Sequence, residues 1–131
     1  MRSAAARMIA VVTLLLGAIA ASLCFAGEPK NISSTQAKAL LVKEKKIVLL
    51  DVRTPEEFRQ AHLHGALLIP LSDLKQRVQE IPRDRPLLVY CAVGARSVSA
   101  AGFLAAHGYR DIYQMSDGLV GWYKNGFPID K

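Results

Sequence analysis

Three short apolar runs, Ile47-Val48-Leu49-Leu50, Ala66-Leu67-Leu68-Ile69 and Pro86-Leu87-Leu88-Val89-Tyr90, do most to constrain the fold of this chain. Strands that alternate apolar and polar residues keep one face in water, whereas continuous runs belong to strands covered on both faces of a parallel sheet. Helical signals lie between them. Ser33-Ser34-Thr35-Gln36 has the Ser-x-x-Gln form of a capping box, and Ala37, Leu40 and Leu41 recur at helical spacing as far as Val42. Pro55-Glu56-Glu57-Phe58 puts proline in a first turn and acids at the positive end of a helix dipole. Ser72 or Asp73 is placed to cap a helix in which Leu74, Val78 and Ile81 share a face, and Pro82 stops it. Val98 to His107 reads as a helix rich in small residues, with Gly108 at its C′ position. Ile32 opens a first short strand, Asp111-Ile112-Tyr113-Gln114 forms the last strand, and Gly118 to Lys124 the last helix. This alternation predicts an α/β domain of three layers, a mostly parallel sheet of about five strands with helices on both faces.

The length of 131 residues fits one domain. Ahead of it, Arg2 and Arg7 precede an uncharged stretch from Met8 to Ala26, and small residues at Cys24 and Ala26 fit the rule for secretory cleavage. The expected products are a signal peptide, residues 1–26, and a domain of residues 27–131, periplasmic or secreted. The alternative is an uncleaved anchor with the domain facing the periplasm, since Met8 to Ala26 is just long enough to span a bilayer. Cleavage removes Arg2 and Arg7 from the 17 basic residues, leaving 15 against 11 acidic, a net charge of +4. Those positives are scattered, as at Lys43, Lys45, Lys46, Arg83 and Arg85, with few aromatics between them. That pattern argues for a solvated face and against a nucleic-acid surface. Loss of Cys24 leaves Cys91 as the only thiol of the mature chain, without an intramolecular disulfide partner, a pattern that suggests reactivity. The mature domain is expected to be a monomer.

Cys91 follows the third apolar run and opens the loop Ala92-Val93-Gly94-Ala95-Arg96-Ser97. In open parallel sheets ligands bind beyond the carboxyl ends of strands, which is where this thiol stands. The loop N–H groups and the following helix N-terminus supply partial positive charge, Arg96 supplies a full one, and both favour the thiolate. Cys91 is therefore the candidate nucleophile, and Ala92, Val93, Gly94, Ala95, Arg96 and Ser97 form a candidate cradle for a small anion. Ser97 is equally suited to capping the helix that follows. Asp51 and Arg53 read as structural neighbours of the site, with Arg53 pairing to an acid such as Glu57. His62 and His64 have no visible partner for a metal site and are assigned turn and surface roles. Trp122 is expected to anchor the last helix in the core.

Four segments, in order, carry a family resemblance: Leu50-Asp51-Val52-Arg53-Thr54-Pro55-Glu56-Glu57-Phe58; His62-Leu63-His64-Gly65-Ala66-Leu67-Leu68-Ile69-Pro70; the Cys91 to Ser97 loop; and Asp117-Gly118-Leu119-Val120-Gly121-Trp122. From about Ile32 to Ile129 the chain resembles a single-domain rhodanese, a thiosulfate-type sulfurtransferase. Two departures stand outside the loop: Ala61 replaces a frequent Gly before His62, and Ser116-Asp117-Gly118 stands where a Gly-Gly pair is common. The resemblance implies that Cys91 takes sulfur from a small anionic donor such as thiosulfate, holds it as a persulfide, and passes it to a thiol or to cyanide. It implies an anion contact for Arg96, and no metal or organic cofactor.

Three other readings share the fold. Phosphatases and arsenate reductases look similar but carry five residues between Cys and Arg, whereas only Ala92, Val93, Gly94 and Ala95 intervene here. The shorter loop suits a sulfur atom better than a tetrahedral phosphate, and it holds no Asp as a general acid. Non-catalytic rhodanese-like binding modules usually lack the cysteine. A relay that takes sulfur only from an upstream protein would keep the same residues.

Overall fold

The computed structural model describes residues 27–131, and the predicted export segment, residues 1–26, lies outside them. Five strands, β1 (Lys30–Ile32), β2 (Val48–Asp51), β3 (Leu67–Leu68), β4 (Leu87–Tyr90) and β5 (Ile112–Met115), make one sheet in the order β1-β5-β4-β2-β3. Every pairing is parallel. Five α-helices connect them: α1 (Ser34–Lys43), α2 (Pro55–Gln60), α3 (Leu74–Arg77), α4 (Ala95–Ala106) and α5 (Gly118–Lys124).

Side chains alternate across a strand, so each apolar run feeds two cores. Val48, Leu50, Leu87 and Val89 pack on one face against Leu74, Ala100, Ala101 and Leu104 of α3 and α4. Leu49, Leu88 and Tyr90 pack on the other against Ala37, Leu119 and Trp122 of α1 and α5. Cys91 continues the phase of Leu87 and Val89, so it belongs to the α4 face. Trp122 is buried and its Nε1–H donates to the Pro128 carbonyl at 2.9 Å, the anchoring role expected of it.

Several boundaries differ from the sequence reading for local reasons. The strand expected to open at Ile32 ends there, because Ser33 at once forms the capping box of α1: its Oγ accepts from Gln36 N–H, and its own N–H donates to the Gln36 side chain at 2.8 Å. Neither Ser72 nor Asp73 caps a helix with its side chain. The segment instead enters α3 through a 3₁₀ turn, Leu71–Asp73, and leaves through another, Val78–Glu80, and tight backbone bonds such as Asp73 N–H to Pro70 O replace the cap. Leu74 and Ile81 are nevertheless buried on the shared face. Asp111 lies in a left-handed turn, φ 53°, so the last strand starts one residue later. Among the described residues no helix is long and apolar enough to cross a membrane.

Candidate active site

The helix expected from Val98 begins three residues earlier, at Ala95, and the reason lies in the site itself. Gly94, in a left-handed conformation at φ 100°, turns the chain out of the loop and stands at the N-cap without a side chain to offer. The first N–H groups of a helix need outside acceptors. Here the Cys91 sulfur is one: Gly94 N–H reaches Sγ at 3.1 Å and Ser97 N–H at 3.4 Å. The thiol thus caps α4, a twelve-residue helix whose dipole favours negative charge at this end.

Cys91 is almost wholly buried. Burial pushes its pKa up, but hydrogen bonding from the Ser97 side chain and from the N–H groups of Ser97, Gly94 and Val93 outweighs that, and the net shift is downward. Ser97 is inside the helix and fully buried, so the capping role considered for it is taken by the sulfur. Its Oγ lies 3.5 Å from Sγ, 3.0 Å from Gly94 O and 2.8 Å from Oε1 of Gln114 on β5. Gln114, also buried, went unnoticed in the sequence because it reads as an ordinary strand residue.

The ion pairs near the loop are exchanged relative to expectation. Arg53 pairs with Asp51, not Glu57: Nε and Nη2 bond the carboxylate at 2.7 to 3.2 Å, and Nη2 also bonds Ala61 O at 2.6 Å. Both partners are buried, so this pair fixes the exit from β2. They stand two positions apart in sequence, and the Arg53 N–H also bonds Asp51 Oδ1, which makes the turn locally self-contained. Glu57 belongs instead to Arg96, which grips it with both terminal nitrogens at 2.7 and 2.9 Å. That bond, opposed by desolvation and helped by hydrogen bonds from Thr54, holds the Glu57 carboxyl at about 2. The guanidinium expected to face an incoming anion is already occupied.

Glycine and backbone contacts complete the cradle. Leu119 N–H donates to Cys91 O at 2.9 Å and Val120 N–H to Ala92 O at 3.0 Å, so the first turn of α5 pins the base of the loop. Gly118, φ 60°, makes this approach possible, because a Cβ there would collide with the backbone of Ala92 and Val93. A Cβ on Gly94 would likewise meet Ser116 O. Asp117, in the segment that departs from the usual Gly-Gly, accepts from the N–H and Oγ–H of Ser34 at 2.8 and 2.7 Å, tying α1 to α5. Val93 is exposed at the loop crest, and Ala95 is exposed beside it. His62 Nδ1 contacts Phe58 O at 2.8 Å with its ring stacked on Phe58, and His64 Nδ1 contacts Asp130 at 2.8 Å, which places both in turn and surface settings. A mainly apolar cavity of about 470 Å³ adjoins the loop through Ala92 and is walled by Leu119, Val120, Tyr123 and Ile129.

This arrangement matches known proteins over most of its length. The Rhodanese-like domain family matches residues 33–125. A sulfurtransferase of Allochromatium vinosum is 35% identical over 99 residues, covering 76% of this chain and 92% of that protein. A thiosulfate sulfurtransferase of Tolumonas auensis is 35% identical over 89 residues, covering 68% of this chain and 84% of the relative. The crystal structure of a rhodanese-related protein from Thermoplasma volcanium superposes with a TM-score of 0.71 at 29% identity, over 77% of this chain and 97% of that one. With its parallel five-stranded sheet and a cysteine loop at the strand ends, the chain belongs to the rhodanese-like domain family.

Proposed function

We propose that this protein is a sulfurtransferase that moves sulfane sulfur through a persulfide on Cys91. One observation carries the reading: the Cys91 sulfur sits at the start of α4 where Gly94 N–H and Ser97 N–H both point at it. Such a pocket lowers the thiol pKa and stabilises an anion one atom longer, a persulfide, by the same preorganised donors. The names of the relatives from Allochromatium vinosum and Tolumonas auensis support the assignment.

In the first half-reaction the thiolate attacks the outer sulfur of a donor such as thiosulfate. The S–S bond of the donor breaks, sulfite leaves with the electron pair, and Cys91 becomes a persulfide. In the second, a thiol or cyanide attacks the terminal sulfur and the thiolate returns. No net oxidant is consumed. The four-residue spacing between Cys91 and Arg96 supports sulfur over phosphate chemistry. We place the protein in the periplasm or outside the cell on the strength of the sequence from Arg2 to Ala26.

The test is the intact mass of the protein begun at Gly27, before and after thiosulfate, with Cys91→Ser in parallel. A gain of one sulfur atom, removed by cyanide and absent from the variant, is expected. A wild-type protein that gains nothing from thiosulfate or from an organic persulfide overturns the reading.

A further inference from the structure

Two guanidinium groups stand close to the cysteine loop, and each is matched one to one by a carboxylate. Arg53 is spent on Asp51, and Arg96 on Glu57. The loop between Cys91 and Arg96 is Ala92, Val93, Gly94 and Ala95, without a lysine. A dianion approaching Cys91 therefore meets partial charges from N–H groups, a guanidinium already closed by Glu57, and the Glu57 carboxylate itself, which its bond to Arg96 keeps ionised. Beside the loop, sharing Ala92 as a wall, lies the mainly apolar cavity of about 470 Å³, with Lys124 and Lys131 also in its lining, a size that suits an organic ligand.

We infer that Glu57 is a specificity-determining residue: by closing Arg96 it turns the Cys91 cradle away from dianionic donors such as thiosulfate and toward organic persulfides of low charge. This deepens the sulfurtransferase reading and rests on it. The preferred step is attack of the Cys91 thiolate on the terminal sulfur of R–S–SH. A bond forms between Sγ and that sulfur, the S–S bond of the donor breaks, and its electron pair leaves on the thiolate R–S⁻. Charge is conserved, and no sulfite needs to be stabilised. Glu57 touches neither sulfur atom. It acts through Arg96, to which it is bound by both oxygens at 2.7 and 2.9 Å.

The test compares wild type with Glu57→Gln, using thiosulfate and benzyl persulfide as donors and reading persulfide formation on Cys91 by quenched-flow mass measurement. Freeing Arg96 is expected to lower KM for thiosulfate by about fivefold, with kcat little changed, while KM for benzyl persulfide stays within about twofold. Added salt should raise the thiosulfate KM of the variant more steeply than that of wild type, since the variant adds an unmatched guanidinium at the loop to screen. Loss of both donors together, or equal changes for both, would mean that Glu57 only props the loop, and overturns the proposal. Sulfate separates the two claims, because it binds without reacting. Titrated calorimetrically into Cys91→Ser and Cys91→Ser/Glu57→Gln, it should bind the double variant more tightly even if no sulfur transfer is ever seen. Equal sulfate affinity in the two proteins overturns the proposal by itself.

Discussion

Ser97 carries one hydroxyl proton and has three neighbours for it: Cys91 Sγ, Gly94 O and Gln114 Oε1. With Cys91 neutral, the thiol donates to Oγ and the hydroxyl serves an oxygen. With Cys91 ionised, the hydroxyl is free to turn to the sulfur. Ser97→Ala removes this bond but keeps the N–H groups, so the midpoint of iodoacetamide alkylation against pH should rise and the rate at neutral pH should fall severalfold. Alkylation rates from pH 5 to 10, spanning the ordinary cysteine range, check this. The lowered native pKa also has a stability consequence. Its contribution is complete above the ordinary cysteine pKa and is lost as pH falls through the native value. Cys91 and its loop could be found in the sequence because a thiol after a buried strand and before a helix has few other uses. Glu57 could not be assigned correctly, since it lies 39 positions from Arg96 and only the folded chain decides which arginine it meets.

At the level of elements, α2 and α4 are joined through Glu57 and Arg96, and α5 is joined to the Cys91 loop through two backbone bonds. The first joint is electrostatic. With the Glu57 carboxyl at about 2, its stabilising effect is full above the ordinary carboxylate range and is lost as pH falls through about 2. An NMR titration of Glu57 should therefore show a midpoint near 2 in wild type and a return toward the ordinary range in Arg96→Ala. The second joint is steric. Gly118→Ala forces a Cβ into the Ala92 backbone at a left-handed residue, and is expected to cost about 1–3 kcal/mol of stability by thermal denaturation. It should also slow persulfide formation, because the base of the cradle must shift. Element identities were legible from apolar runs, prolines and the Ser33 capping box. The start of α4 was not, because its cap is a sulfur atom four residues before the helix instead of a Ser or Asp at the usual place. Thr54 and Glu57 form a second capping box that the proline signal overshadowed.

Across the molecule, the two cores meet at a sheet whose central strands are buried throughout, and the polar exceptions are few and paired. The Asp51 and Arg53 pair is the costliest to break. Burial opposes the guanidinium charge, and the Asp51 carboxylate more than restores it. Asp51→Ala leaves that charge buried without its partner and should destabilise the fold by about 3–5 kcal/mol, measured by urea unfolding. The fold class followed from continuous apolar runs because coverage on both faces leaves little choice but a parallel sheet. The strand order placed β1 at an edge, a matter of tertiary pairing that no run of residues announces.

That edge position has a practical side. β1 runs parallel to β5, and its Ile32 is level with Met115, the end of the sheet beyond which Cys91 lies. The polypeptide therefore enters the domain from the far pole. Anything fused or tethered at Gly27 would leave the cysteine-loop end of the sheet facing passing molecules, with the attachment point behind it.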